Sequence, residues 1–592
     1  MPHAPTAWTR IGSFASPSFS KDGTRLLHLR GAGLPQLWSM ALDGSDAKQL
    51  TFFDEKVATV RRAPTDERII VGIDAGGDEC QQFHLIAPDG TITALTAAPE
   101  VMHTFGAWSP DGTRIAYTAN DHDPAHFDLL VMELATGAIT QLRKGENQTS
   151  ISGWSTALGQ DRITFLQDYS SSDQRLHVID LTTGACHLVP APGPTRYASV
   201  RWTPDGALMA LTDHGGSDMM RLCRIDPQNG GTAIVAEAPG REIDAWAQAP
   251  NRGKLAVVEN DRGYSVLKID GTIVEGLPNG TVSDLNWSPN GETLAFIAQS
   301  PTHPPAIWLW QNGQARCLLA PNPEAEAGIS PTTFADYQLV HWTAEDGTTI
   351  PGWLAMPKTK APPGGHPAVI WVHGGPVGQS RPSFRPDFQM LVDQGYALLL
   401  PNVRGSSGYG RAAMESDDVE LRPAALADLA AGRHWLATQP NINPTKIGVM
   451  GQSYGGWMVL GAITLYPDLW KAAVDYYGIA DFTTLLNRTS TYRRSHRARE
   501  YGFPETHQDL FAQISPIHHI DRVTAPLLVA HGERDPRVPK HESDQFVKGL
   551  EERQKKVRYV EFTYAGHGFI RPADRERIYT EVASHFGTFL RD

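Results

Sequence analysis

The sequence has few cysteines and no closely spaced pair of them. Its 592 residues include four cysteines, none of which forms a C-x-x-C motif. This count and spacing exclude a disulfide framework and a zinc knuckle. We therefore expect the cysteines to be buried thiols in a protein of a reducing compartment.

Long apolar runs and excess positive charge are also missing. No stretch reaches 18 consecutive apolar residues, and the first residues, MPHAPTAWTRIG, lack the basic head and apolar core of a signal peptide. We therefore expect no membrane association and a cytoplasmic location. Acidic residues outnumber basic ones by 65 to 52, which argues against a nucleic-acid partner. A chain of this length exceeds one hydrophobic core and predicts two or more domains.

The first half of the chain contains an internal repeat. An aromatic residue, a Ser/Thr-x-Asp/Asn-Gly turn and a β-rich run recur four times, and three degenerate copies fill the gaps. The seven copies lie 41 to 48 residues apart and begin at Phe19, Arg62, Trp108, Trp154, Trp202, Trp246 and Trp287. Alternating apolar residues between Gly-containing turns predict short strands, about four in each repeat. Such repeats are typical of propeller blades, so residues 1–325 are predicted to form a seven-bladed β-propeller.

The second half has a different pattern. Short, nearly continuous apolar runs such as PAVIWVHGG, KIGVMGQSYGG and APLLVAHGERD alternate with helical segments. Buried strands that alternate with helices indicate a parallel sheet covered on both faces. Residues 326–592 are therefore predicted to form an α/β-hydrolase domain.

A nucleophile motif lies within that second domain. Gly451-Gln452-Ser453-Tyr454-Gly455 follows an apolar strand and precedes a helical run. In this strand–turn–helix context, G-x-S-x-G presents the serine hydroxyl above the carboxyl edge of the sheet. We predict that Ser453 is the catalytic nucleophile.

A serine hydroxyl needs a base, and the base needs an orienting acid. In an α/β-hydrolase the chain order is serine, acid, histidine. Asp535 follows a late strand, with Glu533 as the alternative, and His567 lies between glycines before the last helix. We predict Asp535 as the acid and His567 as the base.

The tetrahedral intermediate needs preorganised N–H donors for its oxyanion. We expect one donor to be the backbone amide of Tyr454, directly after the nucleophile. The second should come from the loop His373-Gly374-Gly375-Pro376, with Gly375 as the preferred donor. This mechanism requires neither a metal ion nor an organic cofactor.

The segment from Lys471 to Pro504 should line the primary substrate pocket. Its residues Tyr477, Ile479 and Phe482 predict an apolar or aromatic substrate side chain, although the same residues would also suit the core. A basic stretch follows, in which one arginine could bind a substrate carboxylate bidentately or could simply face solvent. The candidate arginines, with one from an earlier loop, are Arg404, Arg493, Arg494 and Arg497.

Taken together, these motifs resemble a known family. A seven-bladed propeller joined to a hydrolase domain with HGGP, PNVRGSSGYG, GQSYGG, GERDPRVP and GHGF is similar to the prolyl oligopeptidase family of serine peptidases. Its acylaminoacyl-peptidase and dipeptidyl-aminopeptidase-like branch fits these motifs best. The resemblance implies catalysis by Ser453, Asp535 and His567, an oxyanion role for Gly375 and Tyr454, and a propeller that admits only short peptides. It also implies that homo-oligomers are frequent.

The leading interpretation is a serine peptidase that hydrolyses short peptides through an acyl-enzyme. Two alternatives within hydrolases are a carboxypeptidase-type member, whose arginine holds the substrate C-terminus, and an esterase. A non-catalytic propeller scaffold with a decayed hydrolase domain is the alternative from another class. The complete Ser453, Asp535 and His567 set argues against that last alternative.

Overall fold

The computed structural model describes residues 2–157, 159–250 and 253–591. Seven separate four-stranded sheets come first, and one eight-stranded sheet follows them. The predicted fold class, a seven-bladed β-propeller followed by an α/β-hydrolase domain, is confirmed.

Each propeller blade is built from four consecutive antiparallel strands. In chain order the blades are β1 Ser13–Phe19, β2 Arg25–Gly31, β3 Gln36–Ala41 and β4 Lys48–Gln49; β5 Val57–Arg62, β6 Ile69–Ile73, β7 Gln82–Ile86 and β8 Ile92–Ala94; β9 His103–Trp108, β10 Arg114–Ala119, β11 Asp128–Glu133 and β12 Ile139–Arg143; β13 Thr149–Trp154, β14 Arg162–Ser170, β15 Asp173–Asp180 and β16 Cys186–Leu188; β17 Tyr197–Trp202, β18 Leu208–Thr212, β19 Arg221–Ile225 and β20 Thr232–Ala236; β21 Glu242–Gln248, β22 Leu255–Asp261, β23 Tyr264–Ile269 and β24 Thr272–Ile273; β25 Thr281–Trp287, β26 Thr293–Ser300, β27 His303–Gln311 and β28 Gln314–Leu319.

The repeat motif forms the turn between the first and second strands of a blade. In the third blade, Trp108 ends β9 and the turn follows at once. The hydroxyl of Ser109 donates to Asp111 Oδ1 over 2.6 Å, and the amide of Thr113 donates to the same oxygen over 3.0 Å. Gly112 adopts φ +69°, which favours glycine. In this blade the Ser-x-Asp-Gly pattern therefore encodes the first hairpin.

The ring closes by packing between the first and last blades. Phe14 and Phe19 of β1 lie in one buried cluster with Ile297 and Leu309 of the seventh blade. The amide of Phe19 also donates to Asn286 Oδ1 over 3.2 Å. Each of the two blades keeps its own four strands, so closure rests on side-chain burial and these polar contacts.

The hydrolase domain contains eight strands and most of the helices. Its strands are β29 Tyr337–Thr343, β30 Thr349–Ala355, β31 His366–Val372, β32 Ala397–Pro401, β33 Ile442–Gln452, β34 Ala473–Tyr476, β35 Leu527–Gly532 and β36 Val557–Phe562. The α-helices of the chain are α1 Pro5–Trp8, α2 Pro323–Ala327, α3 Pro386–Asp393, α4 Arg411–Met414, α5 Arg422–Ala437, α6 Tyr454–Leu465, α7 Phe482–Arg488, α8 Thr491–Tyr501, α9 Gln508–Ile514, α10 His541–Glu552 and α11 Pro572–Phe586. Short 3-10 segments span Pro331–Thr333, Val419–Leu421, Pro467–Leu469 and Pro516–Arg522, and a π-helical turn spans Gly587–Arg591.

The hydrolase strands form one sheet in the order β29-β30-β32-β31-β33-β34-β35-β36. The first two strands are antiparallel to their neighbours, and the other six are parallel to one another. One face is covered by α5, α6 and α10, and the other by α3 and α11. The carboxyl ends of the parallel strands meet at one edge, where loops can assemble a site.

The N-terminal segment packs against the hydrolase domain. Trp8 of α1 is fully buried, and its ring lies 5.9 Å from that of Phe334. The amide of Gly12 donates to Glu326 Oε2 over 2.8 Å. The predicted first domain includes this segment, but the contacts connect it to the second. The predicted boundary at residue 325 falls within α2, between β28 and β29.

Ion pairs join the propeller to the hydrolase domain. Asp213 binds Arg411 over 2.6 Å, and Asp244 binds Arg381 over the same distance. These pairs lie at the contact between the two parts and fix their orientation. Among the described residues, none of the helices has the length and apolar character needed to cross a membrane.

Candidate active site

Ser453 occupies a strained turn between β33 and α6. Its backbone adopts φ 58° and ψ −120°, a conformation that L-residues rarely take outside functional turns. The flanking glycines are required by space: a Cβ on Gly451 would lie 2.3 Å from the Gly455 oxygen, and one on Gly455 would lie 2.1 Å from the Val372 oxygen. The G-x-S-x-G spacing therefore allows the strand and helix to approach closely, and it leaves the serine at the sheet edge.

The HGGP loop lies against the nucleophile. A Cβ added to Gly374 would lie 3.3 Å from Ser453 Cβ. The next residue, Gly375, has φ +144° and borders the same cavity as Ser453, and its carbonyl accepts a 3.4 Å hydrogen bond from the Tyr501 hydroxyl. Tyr454 begins α6, so its amide is one of the free N–H groups of a helix N-terminus. Both predicted oxyanion donors thus belong to backbone next to Ser453.

Asp535 and His567 form a hydrogen-bonded pair. His567 Nδ1 donates to Asp535 Oδ2 over 2.6 Å. Asp535 lies in the loop after β35, and His567 lies in the loop after β36. Since β35 and β36 are parallel neighbours, their carboxyl ends deliver both side chains to the same edge of the sheet as Ser453.

The carboxylate of Asp535 is held by further donors. Its other oxygen, Oδ1, accepts from the amides of Arg537 over 2.8 Å and Val538 over 3.0 Å. Burial raises the pKa of Asp535, but the positive charge and hydrogen bond of His567 outweigh that effect and lower the pKa below its usual value. Asp535 is therefore ionised at neutral pH and can stabilise an imidazolium.

A second histidine, His531, is hydrogen-bonded to the loop that carries Asp535. Fully buried His531 donates from Nε2 to the Val538 carbonyl over 2.9 Å and accepts at Nδ1 from the Ser543 hydroxyl over 2.7 Å. Burial lowers its pKa, so the ring is neutral. These contacts are those of a structural residue.

Tyr477 forms one wall beside the base. Its ring centroid lies 4.5 Å from that of His567, and its hydroxyl lies 3.5 Å from Gln452 Oε1. The backbone of Tyr477 has φ 41°, which turns the chain sharply after β34. This predicted pocket residue therefore contacts His567, the predicted base.

A small cavity of about 80 Å³ adjoins the nucleophile. Several predicted residues line it, namely Ser453, Gly375, Ile479, Arg493 and Arg497. Sequence reasoning missed five other lining residues, Leu485, Thr489, Tyr501, Arg537 and Val538. The positions of Arg537 and Val538, two and three residues after Asp535, could have indicated them.

Three other candidate pocket residues lie outside this cavity. Phe482 is fully buried in the core, with its ring 5.5 Å from that of Trp457. Arg404 binds Asp428 over 2.6 Å and belongs to a different surface pocket. Arg494 is exposed and binds Glu505 over 2.9 Å. These three residues therefore contact the core or nearby carboxylates and do not line the cavity beside Ser453.

One group of side chains elsewhere has metal-ligand spacing. In the loop between β10 and β11 and at the start of β11, ligand atoms of Asp121, His122 and Asp128 lie within 4.8 Å of one another. His122 Nδ1 lies 2.8 Å from Asp128 Oδ2, so these two side chains also form a polar contact with each other. The chemistry at Ser453 uses none of these residues.

Comparison with known sequences finds related peptidases. Residues 382–592 match the sequence model of the prolyl oligopeptidase family. Dipeptidyl aminopeptidase BIII from Pseudoxanthomonas mexicana is 28% identical over 536 residues, which are 85% of this chain and 76% of that protein. Acylamino-acid-releasing enzyme 2 from Oryza sativa subsp. japonica is 26% identical over 313 residues, 47% of this chain and 40% of that protein.

Comparison with solved structures extends the likeness to the whole fold. The crystal structure of puromycin hydrolase superposes with a TM-score of 0.87 at 19% identity, covering 100% of this chain and 96% of that chain. At this identity the likeness shows the arrangement of propeller and hydrolase domain. The resemblance inferred from the sequence motifs is confirmed.

Proposed function

We propose that this chain is a serine peptidase of the prolyl oligopeptidase family, and that it hydrolyses short peptides through an acyl-enzyme on Ser453. The observation that carries this proposal is the 2.6 Å bond between His567 and Asp535, at the edge where the strained turn presents Ser453. Acyl transfer requires a nucleophile, a base and an orienting carboxylate, and these follow the carboxyl ends of β33, β36 and β35 at one edge of the sheet.

In the first half of the reaction, Ser453 Oγ bonds to the scissile carbonyl carbon while its proton passes to His567 Nε2. Asp535 holds the imidazole through Nδ1 and stabilises its positive charge. When the tetrahedral intermediate collapses, the C–N bond breaks and the imidazolium gives its proton to the leaving amine. In the second half, water repeats these steps on the acyl-enzyme and releases Ser453.

The developing oxyanion needs donors that are in place before the reaction. The amides of Gly375 and Tyr454 suit this need because Gly375 borders the same cavity as Ser453 and Tyr454 follows Ser453 at the start of α6. The Tyr454 side chain is fixed as well: its hydroxyl donates to Asp417 Oδ2 over 2.8 Å, and Arg422 donates to it over 3.1 Å. Preorganised donors contribute strongly to acyl transfer because they need no reorganisation.

The propeller supports a restriction to short substrates. A loop of the second blade reaches the catalytic loops: Gly76 accepts a hydrogen bond from the Gly566 amide, and Glu79 binds Arg537. A folded protein could not pass between parts held in such contact, whereas a short peptide could. This access argument also favours a peptidase over an esterase, since small esters need no filter.

The same loop supports recognition from the amino side of the substrate. Asp78 and Glu79 place two carboxylates beside the loop of Asp535, where a free α-amine would compete with their present partners, Arg534 and Arg537. Arginines near Ser453 support the carboxypeptidase-type alternative, because an arginine could bind the C-terminal carboxylate of a substrate. Cleavage of one short peptide in free-amine, N-acetylated and C-amidated forms, read by mass spectrometry, separates the two. Loss of cleavage only on C-amidation would favour the carboxypeptidase.

Two further comparisons test the class of reaction. We expect turnover of a short peptide amide at a rate comparable to that of its matched ester, and no cleavage of a folded protein with the same sequence in a buried strand. Ester turnover without amide turnover would favour the esterase. Equal cleavage of the folded protein and the peptide would contradict the proposed restriction of access.

A further inference from the structure

The cavity beside Ser453 is lined by three arginines. Arg493 and Arg497 come from α8, and Arg537 comes from the loop after β35. The other lining side chains, such as Ile479, Leu485 and Tyr501, bring no charge. Three guanidinium groups around about 80 Å³ make this cavity a site of positive potential next to the reacting centre.

Two of these arginines already have carboxylate partners. Arg497 donates to Glu500 Oε2 over 2.5 Å, and Arg537 binds Glu79. Arg493 differs: in the part of the chain that the structure describes, no carboxylate lies within ion-pair distance of it. Its Nε is buried and has no hydrogen-bond partner. A buried donor of this kind is costly unless a ligand satisfies it.

The position of the cavity identifies which part of a substrate would reach Arg493. The leaving amine must lie on the side of His567, because the imidazolium protonates it. His567 does not border the cavity, whereas Gly375 of the oxyanion loop does. The cavity therefore lies on the acyl side and would receive the side chain of the residue whose carbonyl is attacked.

From this geometry we propose that the cavity is an acidic-residue pocket, in which Arg493 binds the side-chain carboxylate of an Asp or Glu on the acyl side of the scissile bond. The inference rests on the proposed peptidase function and adds the substrate class. It replaces the sequence-based expectation of an apolar or aromatic side chain, because the buried Nε–H of Arg493, which has no hydrogen-bond partner, would oppose such a side chain. The planar fork of arginine matches a carboxylate bidentately.

A substrate series tests the proposal. The peptides Ala-Ala-X-aminomethylcoumarin, with X as Asp, Glu, Asn, Gln or Leu, differ only on the acyl side and have no C-terminal carboxylate. We expect kcat/KM for Asp or Glu to exceed that for Asn or Gln by about 10- to 100-fold, the range for hydrogen bonds to a charged group. Equal or higher values for Gln or Leu would overturn the proposal.

Paired arginine variants locate the effect. Arg493→Met should bring Asp and Glu to within about threefold of Asn and Gln, whereas Arg494→Met should leave the ratio unchanged. Arg494 is the matched control because it lies on the same helix, is exposed and is outside the cavity. An equal loss in both variants would contradict a specific contact with Arg493. Labelling of Ser453 by a fluorophosphonate shows that each variant is folded.

The outcome also separates this proposal from the proposed function. Hydrolysis of neutral substrates without an acidic preference would refute the pocket and keep the peptidase. An acidic preference that appears only in peptides with a free C-terminal carboxylate would refute the pocket in favour of C-terminal anchoring. Absence of hydrolysis on every substrate, with no labelling of Ser453, would refute the peptidase itself.

Discussion

The amide of Gly566 donates a 2.7 Å hydrogen bond to the carbonyl oxygen of Gly76. The residue that follows Gly566 is the base His567, so a loop of the second blade holds the catalytic loop directly. A Cβ on Gly566 would lie 1.9 Å from the Gly77 oxygen, which shows how closely the two backbones approach. We propose that this contact helps to position His567, the predicted base.

We expect Gly76→Ala to lower kcat by roughly 10- to 100-fold, because small displacements of a catalytic group have effects of that order. Gly76 has φ +65°, and a Cβ there would lie 2.7 Å from the Tyr564 oxygen. Steady-state kinetics on a short peptide measures the effect. Gly90→Ala is the control: it has φ +88° in the same blade, and its Cβ would meet nothing within 4 Å. Equal kcat values in the two variants would contradict the positioning role.

Asp535→Asn should lower kcat by roughly 10³- to 10⁴-fold while KM changes little, since the amide cannot orient the His567 tautomer or stabilise its charge. The measurement is kcat and KM on the same peptide. Glu533→Gln tests the alternative acid in the same loop. A large loss in Glu533→Gln with activity kept in Asp535→Asn would reverse the assignment.

A buried ion pair contacts the side-chain hydroxyl of Tyr454, a predicted oxyanion residue. Asp417 and Arg422 are both fully buried, and Asp417 is bonded to Arg422 and to the Tyr454 hydroxyl. We expect Asp417→Asn to lower the free energy of unfolding by about 3–5 kcal/mol, because it leaves a buried guanidinium without its counter-charge. Denaturant unfolding measures this loss. Asp346→Asn breaks a half-exposed ion pair with Arg404 and should lower the free energy of unfolding by about 1 kcal/mol or less. Similar losses in both variants would contradict the argument.

Asp475 makes stability depend on pH. This fully buried side chain packs against Gly456 and Gly478 near the nucleophile turn, and burial raises its pKa to about 8. The unfolded chain releases this proton near pH 4 and the folded protein keeps it, so stability falls as pH rises from about 4 to about 8. Asp475→Asn should reduce the decrease in Tm between pH 5 and pH 8. An unchanged decrease would show that Asp475 ionises normally in the fold. Burial also raises the pKa of Glu542, to about 7. Glu542 therefore contributes part of the decrease in Tm in both the parent protein and Asp475→Asn.

Local patterns predicted the architecture well because turns and strands are encoded locally. The aromatic-turn repeats correspond to the ends of first strands, as Trp108 and Trp202 show. The strand before Ser453 and the helix after it are likewise present, and the glycine spacing is explained by close backbone approach.

Side-chain direction was harder to infer than secondary structure. Phe482 was predicted at the pocket but packs in the core, since the sequence does not show which side of α7 faces the cavity. Arg493 and Arg497 are four residues apart and share one face of α8, whereas Arg494 lies off that face. That spacing could have selected these two residues, but the third arginine of the cavity, Arg537, and its partner Glu79 are brought there by the tertiary fold.

The most direct test is covalent labelling of Ser453. Incubation of the full-length protein with a fluorophosphonate, followed by peptide mass spectrometry, should place the adduct on Ser453. Labelling and hydrolysis of short peptides should both be absent in Ser453→Ala. Labelling of another serine, or peptide hydrolysis that persists in Ser453→Ala, would contradict the assignment of Ser453 as the nucleophile.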